Sequence, residues 1–82
     1  MSQLEKLLEQ FINTPLPKWS DVVTLMKKLG YKRLEGDGSR IKFVNLEKKS
    51  VIELHRPHPG NTIKHYVKKD IIKELKDKEF IK

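Results

Sequence analysis

Cysteine is absent from the 82 residues, which excludes disulfides and thiolate metal sites. No uninterrupted apolar run approaches the roughly 18 residues that a membrane-spanning helix needs. The opening residues, Met1-Ser2-Gln3-Leu4-Glu5-Lys6, lack the cationic start, apolar stretch and small-residue cleavage site of a secretory signal. The expectation is therefore a cytoplasmic protein with no membrane contact. Internal repeats, low-complexity tracts and a second hydrophobic unit are also missing. The length suits one domain, 1–82, with one modest core.

Charge is what the chain has in excess. Lysine and arginine total 18 against 11 acids, a net +7 with a pI near 9.7. The excess is uneven. Residues 1–30 hold four basic and three acidic side chains, a net +1, and residues 31–82 hold 14 and eight, a net +6. A field of that sign attracts polyphosphates and speeds their encounter. A lysine-rich solvated surface carries the same charge, so the balance alone does not decide between the two.

The apolar spacing divides the chain into six elements. Ser2-Gln3-Leu4-Glu5 has the form of a capping box, and Leu4, Leu7, Leu8, Phe11 and Ile12 follow at helical spacing up to Asn13. Thr14-Pro15-Leu16-Pro17 cannot continue that helix and reads as an extended connector. A second helix begins near Trp19 or Ser20, buries Val22, Leu25, Met26 and Leu29, and stops at Gly30. From Tyr31 the period becomes two. Strands are expected over Tyr31–Glu35, Arg40–Val44 and Val51–Arg56, with turns at Gly36-Asp37-Gly38-Ser39 and Asn45–Ser50. Pro57 and Pro59 end the third strand. A last helix, about Tyr66 to Lys78, buries Val67, Ile71, Ile72 and Leu75, with lysines 68, 69, 73, 76 and 78 around the rest. The order α-α-β-β-β-α predicts an α+β domain: a three-stranded antiparallel sheet with helices on one face.

Alternation then assigns the open face. If Ile41, Phe43, Ile52 and Leu54 meet the helices, Arg40, Lys42, Val44, Val51, Glu53 and His55 point the other way. Arg40 can grip phosphate with its guanidinium fork, and Lys42 adds a point charge. Ordinary solvated charges on an open sheet are the alternative reading of the same pattern.

His55-Arg56-Pro57-His58-Pro59-Gly60 is the most unusual segment. Histidine titrates near neutrality, so His55 or His58 can take a proton from a ribose 2′-hydroxyl or return one to a leaving oxygen. Arg40, Lys42 and Arg56 are candidates to stabilise the charge building on the phosphate, a reaction that needs no metal. A strand-surface His55 and a loop His58 bonded to backbone are the unreactive alternative. His55, His58 and His65 lack the ligand spacing of a zinc site, so neither a metal nor a cofactor is expected. Ser39 lies in the glycine turn with no sequence sign of an activating histidine and acid.

From Trp19 onward the chain resembles the HicA-type toxins of bacterial toxin–antitoxin systems. The resemblance is carried by Leu29-Gly30-Tyr31 at a helix end, Gly38-Ser39 opening a strand, His55-Arg56-Pro57-His58-Pro59-Gly60, and Ile71, Ile72 and Leu75 in the closing helix. It covers about three-quarters of the chain, 19–82, and leaves 1–18 as an added helix and connector. The resemblance implies a fold like the double-stranded-RNA-binding domain, mRNA cleavage, and neutralisation by a HicB-like antitoxin. RNA or phosphate contacts are expected at Ser39, Arg40, Lys42 and Arg56. The family's usual Gly-Ser-His, with a catalytic histidine, is Gly38-Ser39-Arg40 here. Arginine stays protonated and cannot act as a base. Proton transfer therefore passes to His55 or His58, or the domain binds RNA or a protein without cleaving. Helix-turn-helix DNA binding does not fit, because a strand and not a recognition helix follows residue 29.

Overall fold

The computed structural model describes residues 3–57 and 60–81, in the order α1 (Gln3–Asn13), α2 (Trp19–Lys28), β1 (Lys32–Glu35), β2 (Arg40–Asn45), β3 (Ser50–His55) and α3 (His65–Asp77). This is the expected α-α-β-β-β-α fold, with one antiparallel sheet in strand order β1-β2-β3. The capping role expected of Ser2 lies outside the described residues. None of the described helices is long and apolar enough to cross a membrane.

The core forms where the two periodicities meet. Val22, Leu25, Met26 and Leu29 from α2 and Ile71 and Leu75 from α3 pack onto Ile41, Phe43, Ile52 and Leu54 of the sheet, with Phe11, Tyr31 and Ile63 closing the edges. Phe43 is wholly buried at the centre, and its ring lies 6.2 Å from that of Trp19. Removing such a side chain costs about 3–5 kcal/mol in lost transfer energy and cavity formation.

Strand limits differ slightly from the periodicity. Tyr31 is not in β1, because it closes the end of α2: Gly30 N–H bonds Lys27 O and Tyr31 N–H bonds Met26 O, with Gly30 at φ +93°. That 5→2 and 6→1 pair is the Schellman arrangement, which needs a left-handed residue and so favours glycine. Asn45 and Ser50 extend β2 and β3 inward from their turn, both buried. Asn45 Nδ2 donates to Leu29 O, and its Oδ1 accepts from Lys48 N. β3 stops at His55, and Arg56 continues only one backbone bond, to Ser39 O at 2.7 Å.

One lysine departs from the expected solvated face of α3. Lys68 is only 8% exposed, and its Nζ donates to Ile12 O (2.7 Å) and Thr14 O (2.8 Å) at the end of α1. Thr14 covers the two preceding carbonyls, through Oγ1 to Gln10 O and N–H to Phe11 O. The cation thus sits where the helix dipole is negative, and charged hydrogen bonds of this kind contribute about 1.5–3 kcal/mol. The connector is held on its other side: Ile63 N–H bonds Pro17 O, and Trp19 N–H bonds Asn61 O.

A buried relay joins three elements. Ser50 Oγ donates to Glu74 Oε2 at 2.6 Å, so it accepts from the Tyr31 hydroxyl at 2.7 Å. Burial holds the Tyr31 pKa above its usual 10.0; the Ser50 hydrogen bond pulls the other way, and the Glu74 charge raises it further. The folded state therefore prefers the protonated phenol. That preference stabilises the fold below about pH 10 and disappears as pH climbs through the raised value. Tyr31→Phe is expected to cost about 1 kcal/mol near neutrality. The stability gap between it and the wild type should narrow in urea titrations from roughly pH 9 to 11. A gap unchanged by pH would mean that the phenol is not held as drawn.

Candidate nucleic-acid interface

The register of β2 and β3 builds the site. Arg40 lies directly opposite His55, Lys42 opposite Glu53, and Val44 opposite Val51, while Leu34 of β1 flanks Lys42. The partners Ile41–Leu54 and Phe43–Ile52 are buried, so the intervening residues face solvent. Arg40, Lys42, Glu53 and His55 are all exposed. The open face is therefore polar toward the 36–39 turn and apolar at its other end, where Val51 and half-buried Val44 meet.

The turn brings a further group. Gly38 adopts φ +63°, at the first central position of a turn closed by Arg40 N–H to Asp37 O. Glycine fills that position without strain, as in hairpin turns of the II′ kind. Ser39 follows, and its Oγ lies 3.4 Å from His55 Nδ1. This is a long hydrogen bond. If Nδ1–H donates to Ser39, the Nε2 lone pair is left facing outward, the state a general base requires. Ser39 and His55 are sixteen residues apart in sequence. Their contact became visible only through the pairing that seats Arg40 against His55.

One expected site residue stands elsewhere. Arg56 does not join the open-face patch. Its guanidinium bonds Glu35 Oε1 at 3.2 Å, and Glu35 also binds Arg33 at 3.1 Å. Glu35 and Arg33 pair with Ile41 and Phe43, so this three-residue cluster lies on the helix side of the sheet rim. His58 lies outside the described residues. Among those described, no group of three or more histidine, aspartate or glutamate side chains is arranged to hold a metal ion.

Glu53 is the site residue whose electrostatic part the alternation pattern left unread. Its Oε1 is 3.9 Å from Arg40 Nε, with both side chains more than half exposed. Such a surface pair contributes little to stability. It competes instead with any anion that approaches Arg40. The cationic trio expected of this face is thus a quartet with one carboxylate.

Beside the patch runs a groove of about 740 Å³, lined by β3 and α3 and by Pro57, Gly60, Thr62, Ile63 and Lys64. His55 borders both the patch and the groove. Periodicity gave no sign of this groove, because its lining residues come from distant parts of the chain.

Residues 19–76 match the family model described as HicA toxin of bacterial toxin–antitoxin. The match begins at the first residue of α2 and leaves α1 outside it. No curated protein and no solved structure gave a significant match to the chain.

Because Glu53 shares Arg40 with any incoming anion, Glu53→Gln is expected to strengthen polyanion binding. On immobilised heparin the variant should elute at higher salt than the wild type, and Arg40→Gln at lower salt. Elution of Arg40→Gln together with the wild type would remove Arg40 from the anion-binding surface.

Proposed function

Because this chain belongs to the HicA family of toxins from bacterial toxin–antitoxin systems, we propose that it acts on RNA, as an endoribonuclease that cleaves mRNA without a metal. The observation that carries the reading is the cross-strand pair: an exposed imidazole and an exposed guanidinium placed directly opposite each other, with a serine hydroxyl at the imidazole Nδ1.

In this reading His55 Nε2 takes the proton of a ribose 2′-hydroxyl. The resulting oxygen attacks the adjacent phosphorus, forming a 2′,3′-cyclic phosphate, and the 5′-oxygen leaves with a proton from solvent. Arg40 holds the phosphate in its fork and stabilises the charge that builds during attack. Lys42, two residues along on the same face, adds a second positive charge and guides the chain. Ser39 positions the His55 ring. Arg56, bound to Glu35, fixes the start of the 57–64 loop rather than touching phosphate. Arg40 at the position of the family's usual histidine makes His55 the base on this face.

A toxin of this chemistry needs masking, and the partner proposed is a HicB-like antitoxin that covers the cationic face. Its contact surface should be acidic, to complement the +6 carried by residues 31–82. A second reading has its own observation. Arg40 in place of a histidine leaves a single histidine on the open face among the described residues, which also suits RNA binding without cleavage.

Incubating purified protein with RNA in EDTA separates the two. Wild-type cleavage that persists in EDTA and falls about 10²- to 10⁴-fold in His55→Ala is expected for a general base. Equal activity in both proteins removes His55 from that role. Salt-sensitive binding with no cleavage leaves the binding module.

A further inference from the structure

The groove beside β3 offers a more apolar surface than the patch it adjoins. It runs from Pro57, just past β3, and Tyr66, in the first turn of α3, to Val51 and Glu74, where Ser50 bonds Glu74. Its floor and walls include Ile52, Ile63 and Val67. Its volume lies within the roughly 300–1,000 Å³ usual for small-ligand sites. Tyr66 lines it while 62% exposed, an aromatic face that the core does not use. β3 is the edge strand of the sheet, so no neighbouring strand fills the space.

The charges in the groove decide what fits. Glu53, Asp70 and Glu74 border it, and so do Lys64 and Arg56, the latter paired with Glu35. Glu53 is near Arg40 and Glu74 accepts from Ser50, whereas Asp70 makes no hydrogen bond or ion pair with another described residue. The three carboxylates offset these cations, so the groove lacks the positive field that draws a phosphate backbone to the sheet patch. They accept hydrogen bonds from amino groups, however, and a carboxylate reads the cytosine N4 amino group while opposing the uracil O4 carbonyl. The arrangement thus splits a nucleotide into its two parts: phosphate on the cationic sheet face, base in the apolar, carboxylate-rimmed groove, with His55 at the border. A base can enter only when it is unstacked from a duplex.

We propose that the groove between β3 and α3 is a nucleobase subsite that seats one unpaired base next to the phosphate held by Arg40. It stacks the base on Tyr66 and favours cytosine over uracil through Asp70. This rests on the RNA reading above and adds to it a substrate class, single-stranded RNA, and a base preference.

The test uses the full chain and fluorescence anisotropy with 2′-O-methyl octamers, which cannot be cleaved: C8, U8 and a blunt hairpin duplex. C8 is expected to bind about fivefold or more tighter than U8, and tighter than the duplex. Tyr66→Ala, an exposed position, should weaken C8 about tenfold or more, since stacking on an aromatic ring supplies much of the affinity for an unpaired base. Asp70→Ala should bring the C8-to-U8 ratio close to one while strengthening U8, because a repelling charge is gone. Arg40→Glu should weaken all three ligands. Equal binding of C8 and U8, unaffected by Tyr66→Ala and Asp70→Ala but still lost in Arg40→Glu, overturns the base subsite and leaves the RNA reading standing. In that case the edge of β3 is free to pair with a strand of a protein partner. Failure of every ligand to bind overturns both.

Discussion

The pairing of β2 with β3 is the constraint on which the fold and the site both rest. Ile41, Phe43, Ile52 and Leu54 must face the helices, and each contributes on the order of 1.5–3 kcal/mol by leaving water. A slip of one residue would expose all four and drive Arg40, Lys42, Glu53 and His55 into the core. The register is held at both ends, by buried Asn45, which ties the 46–49 turn to the end of α2, and by the bond from Arg56 N–H to Ser39 O. The juxtaposition of Arg40 with His55 is therefore a consequence of burying the opposite face. No residue of the site has to stabilise it.

The same geometry explains how far the sequence could be read. Period-two spacing over residues 40–44 and 51–55 is enough to name the covered and open faces, since pleating has only two outcomes. The helices were equally legible, because Leu4 to Ile12, Val22 to Leu29 and Val67 to Leu75 each make a single apolar stripe. What stayed hidden depends on distance in space. Ser39 reaches His55 only because the glycine turn curls back over the end of β3. Arg56 looked like a phosphate ligand beside His55, yet the next residue of an extended chain points to the other side, where Glu35 is waiting. Lys68 read as one lysine among five on α3, and nothing in its spacing showed that the carbonyls of α1 would lie within its reach. The groove depends on side chains of β3 and α3 meeting in space, which residue patterns do not encode.

Lys68 also bears on how the family domain meets the helix in front of it. The matched region begins at α2, while α1 lies outside it. A lysine from inside the match satisfies the terminal carbonyls of α1, and Phe11 of α1 is part of the core cluster. The added helix is thus bonded into the domain through both polar and apolar contacts. It packs away from the open sheet face, so the patch around Arg40 and His55 stays accessible with α1 in place.

The central claim is that the exposed face of β2 and β3 meets RNA, and mapping the contact directly tests it best. Amide and imidazole resonances of the protein would be followed during titration with a non-cleavable single-stranded RNA. The account predicts the largest shifts at Gly38–Lys42 and Glu53–Arg56, with the His55 ring among them. Shifts concentrated instead on α1 or on the solvent side of α2, with residues 38–42 and 53–56 unmoved, would contradict it.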